Sequence, residues 1–350
     1  MDVSSLKQAA YQLAVSDRID WQLFDGSTVV ISGATGLIGS CCARALLERN
    51  RARKAGIKVK ALVRNVDKAK TVFNEYMDSD ELSILLVDVE SFNELTDLGP
   101  VDYIIHAACP TASDFFINYP VETINAIVCG TRNMLEFAKK RNAKMVYVSS
   151  MEVYGEGNSS RGIKNSLKEA MVGYVDPLNI RSCYPEGKRM AETYCCSYAK
   201  EYGVSVAIAR LAQTFGPGIS KDDKRVFAMF ARSARLGKDI YLKTTGESTR
   251  MYVHTFDAVA AIFTILGKGE AGSAYNVANT ETYCSIKEMA EMVLSAFANN
   301  KSRVIIEIDK NAPYPPEHHL PLCTEKLEGL GWKARFGLRE MYSDLIECLF

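Results

Sequence analysis

Apolar and polar positions divide the chain into two kinds of stretch. Short apolar runs at 27–32, 58–63, 82–87, 103–106, 144–149 and 204–210 have the length and the Val, Ile and Leu content of strands buried on both faces. Between them, 41–49, 67–77, 121–142 and 190–202 carry apolar residues at helical spacing. Strand and helix alternate in this way from about residue 27 to about residue 211, the order that produces a doubly wound parallel α/β sheet. Beyond Leu211 the alternation weakens. A loop is predicted at 216–224, a helix at 226–236, a Gly-containing turn before Arg250-Met-Tyr-Val-His-Thr-Phe-Asp257, a strand at 274–277 returning to the sheet, and a helix at 285–298. The division expected is an extension at 1–26, a first domain at 27–211 completed by a strand near 274–278, and a smaller, interleaved lobe at 212–350.

The first strand runs directly into Gly33-Ala-Thr35-Gly36-Leu37-Ile38-Gly39, and a helix follows. Strand, glycine turn and helix form the context of a dinucleotide site, a Rossmann arrangement. Gly33 permits the tight turn, Gly36 lets a diphosphate reach the backbone, Gly39 allows close helix packing, and the helix start offers amides and a positive dipole end. In an open sheet of this kind ligands lie beyond the strand C-termini, which is where Gly33, Asp88, Ala107 and Ser150 fall. The second strand ends at Arg64, where an NAD site is expected to carry an acid for the ribose hydroxyl. A cation there leans toward the 2′-phosphate of NADP, while Asp67 stands close enough that a shifted register would serve NAD. Asp88 and Val89 are expected to flank the adenine.

Tyr184 and Lys188 stand four apart in Arg181-Ser-Cys-Tyr-Pro-Glu-Gly-Lys-Arg-Met-Ala-Glu192, so one helical turn places phenol and ammonium on one face. A phenol titrates near ~10, and a cation held against it lowers that value. Tyr184 is thereby a candidate acid/base.

The totals exclude other classes of function. With 350 residues, 47% hydrophobic and 24% charged, the chain is long enough for a large domain and a second lobe. Lys plus Arg and Asp plus Glu both number 42, so no global field draws nucleic acid or an anionic membrane. The ten cysteines lack CxxC spacing, which favours reduced thiols and a cytosolic protein. Residues 1–25 are too polar for a signal peptide, and no run is long enough to span a bilayer. No metal site is expected: His318 and His319 lie among Pro313, Pro315, Pro316 and Pro321, a pattern that predicts a surface loop.

Taken in order, the glycine turn, Ser149-Ser150 closing a strand, and Tyr184 four before Lys188 resemble the extended short-chain dehydrogenase/reductases. Ser149-Ser-Met-Glu-Val-Tyr-Gly155, Asn125 with Gly130-Thr131, and Arg210-Leu-Ala-Gln-Thr-Phe-Gly-Pro217 narrow the likeness to enzymes of nucleotide-linked sugars. His106-Ala-Ala-Cys-Pro-Thr-Ala-Ser113, Arg181 to Arg189, and the Arg225-Val226 and Thr249-Arg250 segments resemble most the UDP-glucuronate decarboxylases. The likeness covers nearly all of the chain after about residue 26. It implies that Tyr184 takes a proton from a sugar hydroxyl while hydride passes to the nicotinamide, that Lys188 holds the ribose and lowers the Tyr184 pKa, and that Ser150 hydrogen-bonds the reacting oxygen. It further implies that Ala107, Ala108, Asn125 and Ser149 line the cofactor, that Glu152, Cys109 and Gln213 stand near the sugar, and that the protein is a homodimer through the helices at 125–140 and 184–202. Arg225 and Arg250 are the candidates for the substrate diphosphate, because a guanidinium grips phosphate oxygens in pairs.

Oxidising one carbinol to a ketone makes the neighbouring C–H or C–carboxylate bond labile, so one scaffold serves epimerases, dehydratases and decarboxylases. Met151, where 4,6-dehydratases carry an acid, has no proton to give and speaks against loss of water. The expected function is C4 oxidation of a nucleotide-sugar followed by decarboxylation, with 4-epimerisation or 4,6-dehydration as alternatives. Two others remain open: a simple NADP-dependent reductase of sugars or ketones, which Arg64 and Met151 permit, and a non-catalytic cofactor sensor, against which Ser150, Tyr184 and Lys188 speak.

Overall fold

The computed structural model describes residues 3–94, 98–111, 113–157, 166–298, 301–309 and 317–349. Six early strands, β1 (Thr28–Ser32), β2 (Lys58–Val63), β3 (Leu82–Leu86), β4 (Tyr103–His106), β5 (Lys144–Ser150) and β6 (Val206–Leu211), are joined by the late strand β10 (Ala274–Val277) in one parallel sheet. Their spatial order is β10-β6-β5-β4-β1-β2-β3. Winding reverses between β1 and β4, where Ser32 pairs with His106, so a crevice opens beyond those two strand ends. Val29, Val30 and Ile31 are fully buried, as a sheet covered on both faces requires.

Helices α1 (Val3–Val15), α2 (Leu37–Arg53) and α8 (Thr255–Lys268) cover one face. The other is covered by α5 (Pro120–Arg141) and α6 (Cys183–Tyr202), which pack on each other. Local chemistry fixes their ends. Pro120 opens α5, Asn142 closes it in the left-handed region at φ 50°, and Gly203 closes α6 at φ 68°. Short helices α3 (Val66–Val72) and α4 (Ser113–Asn118) flank the crevice edges.

The lobe is built on strands β7 (Gln213–Phe215), β9 (Thr249–His254), β11 (Asn279–Ser285) and β13 (His319–Leu320), with a separate pair, β8 (Ile240–Leu242) and β12 (Val304–Ile306). Helices α7 (Val226–Arg235), α9 (Ile286–Phe297) and α11 (Leu338–Leu349) enclose its own core around Phe215 and Phe227, while α10 (Glu325–Glu328) packs against β10. A Ser285–Glu288 capping box starts α9.

Two buried polar assemblies join distant parts of the chain. In the first, Glu192 on α6 accepts from Ser149 at 2.6 Å and from Arg210 at 2.7 Å, and Arg210 also donates to the Tyr154 hydroxyl, which donates to Asn276 at 2.6 Å. This network draws β5, β6, α6 and β10 together, a physical reason for the late strand's return. In the second, the Asp257 carboxylate accepts from Arg18 and from the backbone amides of Arg335 (2.9 Å) and Phe336 (3.1 Å), and the Asp257 carbonyl accepts from Trp332 Nε1.

The structure departs from the sequence expectations at several places, including unpredicted helices at Ser113–Asn118, Thr255–Lys268 and Leu338–Leu349. Residues 3–15 form a helix where none was predicted. The helix predicted at 67–77 stops at Val72 and gives way to a 3-10 turn at Asn74–Tyr76, because Phe73 and Tyr76 both turn into the core. His319 lies in a strand paired with Thr249 instead of in a surface loop; Pro313, Pro315 and Pro316 of that prediction lie outside the described residues. All ten cysteines are free thiols. Among the described residues no helix is long and apolar enough to cross a membrane, and no His, Cys, Asp or Glu cluster is arranged to hold a metal.

Candidate active site

The glycine turn is shaped by contacts that only glycine allows. Gly33 has φ 68°, and a Cβ there would lie 2.7 Å from Ala108 Cα and N. A Cβ on Gly39 would lie 2.4 Å from the Gly33 carbonyl oxygen, so α2 packs on its own leading turn. Gly36 is different: a Cβ would meet only that same oxygen, at 3.2 Å, and otherwise open space. Gly36 is the N-cap of α2, and among the described residues no side chain caps it. Leu37 and Ile38 pack toward the core, leaving their amides for a ligand, with Thr35 half-buried beside them. A diphosphate fits this cradle.

Hydrogen bonds hold the opposite wall. Thr131 donates to Ile127 O and therefore accepts from His106 Nε2, at 3.2 Å. His106 Nδ1 accepts from Ser32 at 2.6 Å, and the Ser32 oxygen accepts from Ala108 N at 3.4 Å. One neutral tautomer satisfies the whole chain. Burial, helped by the Lys188 charge, pushes the imidazole down to about 3. The segment 107–108 is thus pinned against Gly33.

At the end of β2 the residue next to the ribose position is Arg64, exposed. Asn65 caps α3 by accepting from Lys68 N at 2.8 Å, which puts Asp67 in the first helical turn with its side chain 96% exposed. Exposed Asp88 accepts from Glu90 N at 3.0 Å, and Val89 is buried beside it. Asn125 is exposed on α5. The Ser149 hydroxyl is spent on Glu192, so any cofactor contact from this residue would come from its backbone.

Ser150, one residue on, accepts from Glu152 N at 3.2 Å and acts on the nearby Tyr184 phenol as a lowering influence on its pKa. Tyr184 is 8% exposed and stacks on Phe116 with ring centres 4.4 Å apart. Lys188 is 3% exposed; its ammonium donates to Val148 O at 2.8 Å and lies 5.8 Å from the centre of the Tyr184 ring. Burial, reinforced by Cys109 and Glu152, pushes the phenol well above the ordinary tyrosine value, against the lowering pull of Ser150 and Arg181. The lowering expected of Lys188 is overturned, because burial of the phenol is the largest influence on it.

On the sugar side the charged candidates are already engaged. Both Glu152 oxygens accept from Arg181, at 2.7 and 3.0 Å. Arg225 pairs with Asp223 at 2.6 Å and lies over the Phe227 ring. Arg250 donates from Nη2 to His318 Nε2 at 2.8 Å, while its Nε is buried with no hydrogen-bond partner among the described residues. Gln213 is half-buried on β7. The Cys109 thiol donates to Pro110 O at 3.0 Å, and burial raises its pKa.

The profile of the NAD dependent epimerase/dehydratase family matches residues 29–278. The chain belongs to this family. UDP-glucuronic acid decarboxylase 5 of Arabidopsis thaliana is 31% identical over 312 residues, 89% of this chain and 86% of the relative. UDP-glucuronic acid decarboxylase 6 of the same plant is 34% identical over 240 residues, 69% and 67% of the two chains. Among solved structures, dTDP-glucose 4,6-dehydratase from Bacillus anthracis, in complex with NAD, superposes with a TM-score of 0.74 at 19% identity, over 92% of this chain and 96% of that one; it shows the shared fold.

In this member of the epimerase/dehydratase family the structure brings Ser150, Tyr184, Lys188, Cys109 and Glu152 to one end of the crevice and the glycine turn to the other. Sequence reasoning missed three residues there. Phe116 lies on an unpredicted helix. His318 was assigned to a loop. Arg181 stood in a quoted motif, and its place one turn before Tyr184 was the available signal. Met151 also takes a different part from the one expected: it is 6% exposed and belongs to the core, so its lack of a proton says little about the sugar's chemistry. A cavity of about 430 Å³, lined by residues 17–22, Thr264, Lys268, Leu330 and Gly331, lies at the far end of the sheet, where Tyr103 at the start of β4 donates to Leu23 O.

Proposed function

We propose that this protein oxidises a nucleotide-linked sugar at C4 and then removes the sugar's carboxylate, with UDP-glucuronate as substrate. What carries the proposal is the buried Tyr184 phenol with the buried Lys188 ammonium 5.8 Å from its ring centre, in a chain whose curated relatives bear the decarboxylase name. The glycine turn at 33–39 would hold the dinucleotide diphosphate, Asp88 and Val89 the adenine, and Lys188 the adjoining ribose. The chemistry a bound nicotinamide dinucleotide supplies is reversible hydride exchange with the sugar carbon. Tyr184 takes the C4 hydroxyl proton and later returns it, while Ser150 fixes the reacting oxygen by a hydrogen bond. Once C4 is a ketone the substrate is a β-keto acid, and the C–carboxylate electrons delocalise onto the new carbonyl without a proton donor at the leaving group. Arg225 and Arg250 would pair with the diphosphate after exchanging their present partners.

Three finer points belong to the same proposal. Arg64 at the end of β2 favours NADP over the NAD of the family name, and Arg64→Asp should move preference toward NAD. The protein is a cytosolic homodimer through α5 and α6, whose outer faces expose Val121, Ile124 and Met190. The working division falls near residue 211, with the dinucleotide before it and most of the sugar contacts after it.

The test is a panel of UDP-, dTDP-, GDP- and CDP-sugars, including UDP-glucuronate, with products read by mass. Loss of the mass of carbon dioxide from UDP-glucuronate is expected. Loss of water from a hexose would replace the proposal with dehydration, an isomer of unchanged mass with 4-epimerisation, and no reaction across the panel with a simple reductase.

A further inference from the structure

Arg181 lies in the turn before α6, and its guanidinium grips both Glu152 oxygens. The same guanidinium lies 5.6 Å from the centre of the Phe116 ring, and Phe116 stacks on Tyr184 with 19° between the ring planes. A continuous stack thus runs from Glu152 through Arg181 and Phe116 to the candidate acid/base. Arg181 and Glu152 keep side-chain exposures of 38% and 32%, and an ion pair this wet adds little to the fold. Its location matters more. Glu152 acts on Tyr184 as a nearby negative charge and Arg181 as an opposing positive one. Left alone, Glu152 would also repel a carboxylate brought beside Tyr184.

We infer that Arg181 is a positioning and specificity residue, which fixes the Glu152 carboxylate and cancels its charge so that the pocket admits a sugar carrying a carboxylate of its own. The inference rests on the substrate class proposed above and deepens it. With both oxygens engaged, Glu152 serves as a fixed acceptor instead of a mobile acid, in keeping with a reaction that needs no proton at the leaving group.

The test compares UDP-glucuronate with UDP-glucose, which lacks the carboxylate, by calorimetric titration of the 350-residue protein loaded with whichever of NAD and NADP it binds more tightly. Arg181→Met should weaken UDP-glucuronate about tenfold more than UDP-glucose, because the uncompensated Glu152 charge faces only the acidic sugar. Arg181→Lys, which keeps the charge without the fork, should preserve most of the wild-type ratio. The double variant Arg181→Met/Glu152→Gln should restore it, and these two variants decide the matter if Arg181→Met does not fold. Equal weakening of both sugars, or a double variant with the ratio of Arg181→Met, overturns the inference; a wild-type protein that binds neither sugar overturns it together with the proposed function. UDP-glucuronate bound in the expected ratios without release of carbon dioxide refutes decarboxylation and supports the role of Arg181. Decarboxylation accompanied by equal weakening does the reverse.

Discussion

On the proposed dinucleotide side of the crevice the groups offered to a ligand are backbone amides, set in place by Gly33, Gly36 and Gly39 and by the hydrogen-bonded wall at 107–108. On the sugar side they are guanidinium groups, and Arg181, Arg225 and Arg250 are already engaged by Glu152, Asp223 and His318. The first surface is finished by folding and has nothing to rearrange. Under the proposed function the second must exchange one set of partners for another when a substrate arrives, so its affinity is a difference between two similar interactions. One fold therefore combines a preformed half with a half whose specificity is tuned through partner residues.

The sharpest way to break this contrast is at Gly39. A Val there would drive its Cβ into the Gly33 carbonyl oxygen, and no side-chain rotation relieves a clash with backbone. Gly39→Val should lose all copurifying dinucleotide and melt earlier than the wild type. Retained nucleotide in that variant would show that the amide cradle is not the binding surface.

Tyr184→Phe tests the junction of the two halves. The ring and its stack on Phe116 survive, so dinucleotide affinity should stay near the wild-type value while kcat falls by ~10²–10⁴, the range for a lost acid/base. A variant that kept most of its kcat would take the proton transfer away from this phenol.

The sugar side should respond more mildly. Arg250→Ala removes one charged hydrogen-bonding partner for a diphosphate, worth about 1.5–3 kcal/mol when fully realised and less here because His318 is also released. KM for the nucleotide-sugar should rise, with dinucleotide affinity unchanged. A parallel loss of dinucleotide would mean that Arg250 supports the whole fold.

The smallest effect is expected at His106. Its imidazole stays neutral down to about pH 3 in the folded protein, whereas in the unfolded chain it protonates near the ordinary value of ~6.5. Acid therefore favours unfolding. The stability due to this residue is complete above about 6.5 and declines by at most roughly 1.4 kcal/mol per unit as pH falls toward 3. His106→Asn should flatten the decline in melting temperature between about pH 7 and pH 5, and an unchanged slope would place the acid sensitivity elsewhere.

The contrast also explains what the sequence made legible. The run 58–63 was bounded to the residue because its alternatives are few, and the strand at 274–277 was seen returning because a short apolar run needs a sheet. Glycine spacing reports backbone shape directly, so the shape of the turn at 33–39 could be read. Side-chain destinations could not. Nothing in the order of residues says that Ser149 turns to Glu192 while Ser150 accepts from Glu152 N, that Met151 sinks into the core, or that Arg225 folds back on Asp223. Arg181 and Phe116 meet only through packing between separate elements, and the short lobe strands lack the length at which periodicity becomes distinctive.

Asp257 has a consequence for how the protein is made. Its carboxylate is buried on α8, and its partners come from Arg18, some 240 residues earlier by the 239-residue separation, and from Arg335 and Phe336, near the other end of the described chain. During synthesis the early strands emerge first and begin to associate, yet a buried carboxylate lacking its partners opposes closure around it. Two of its hydrogen bonds wait for residues 335 and 336 to clear the ribosome. The glycine turn and the first strands can form while the chain is still being extended, but the packing of α8 against Arg335 and Phe336 is deferred until those residues have emerged, which makes that step the natural point for a chaperone to act.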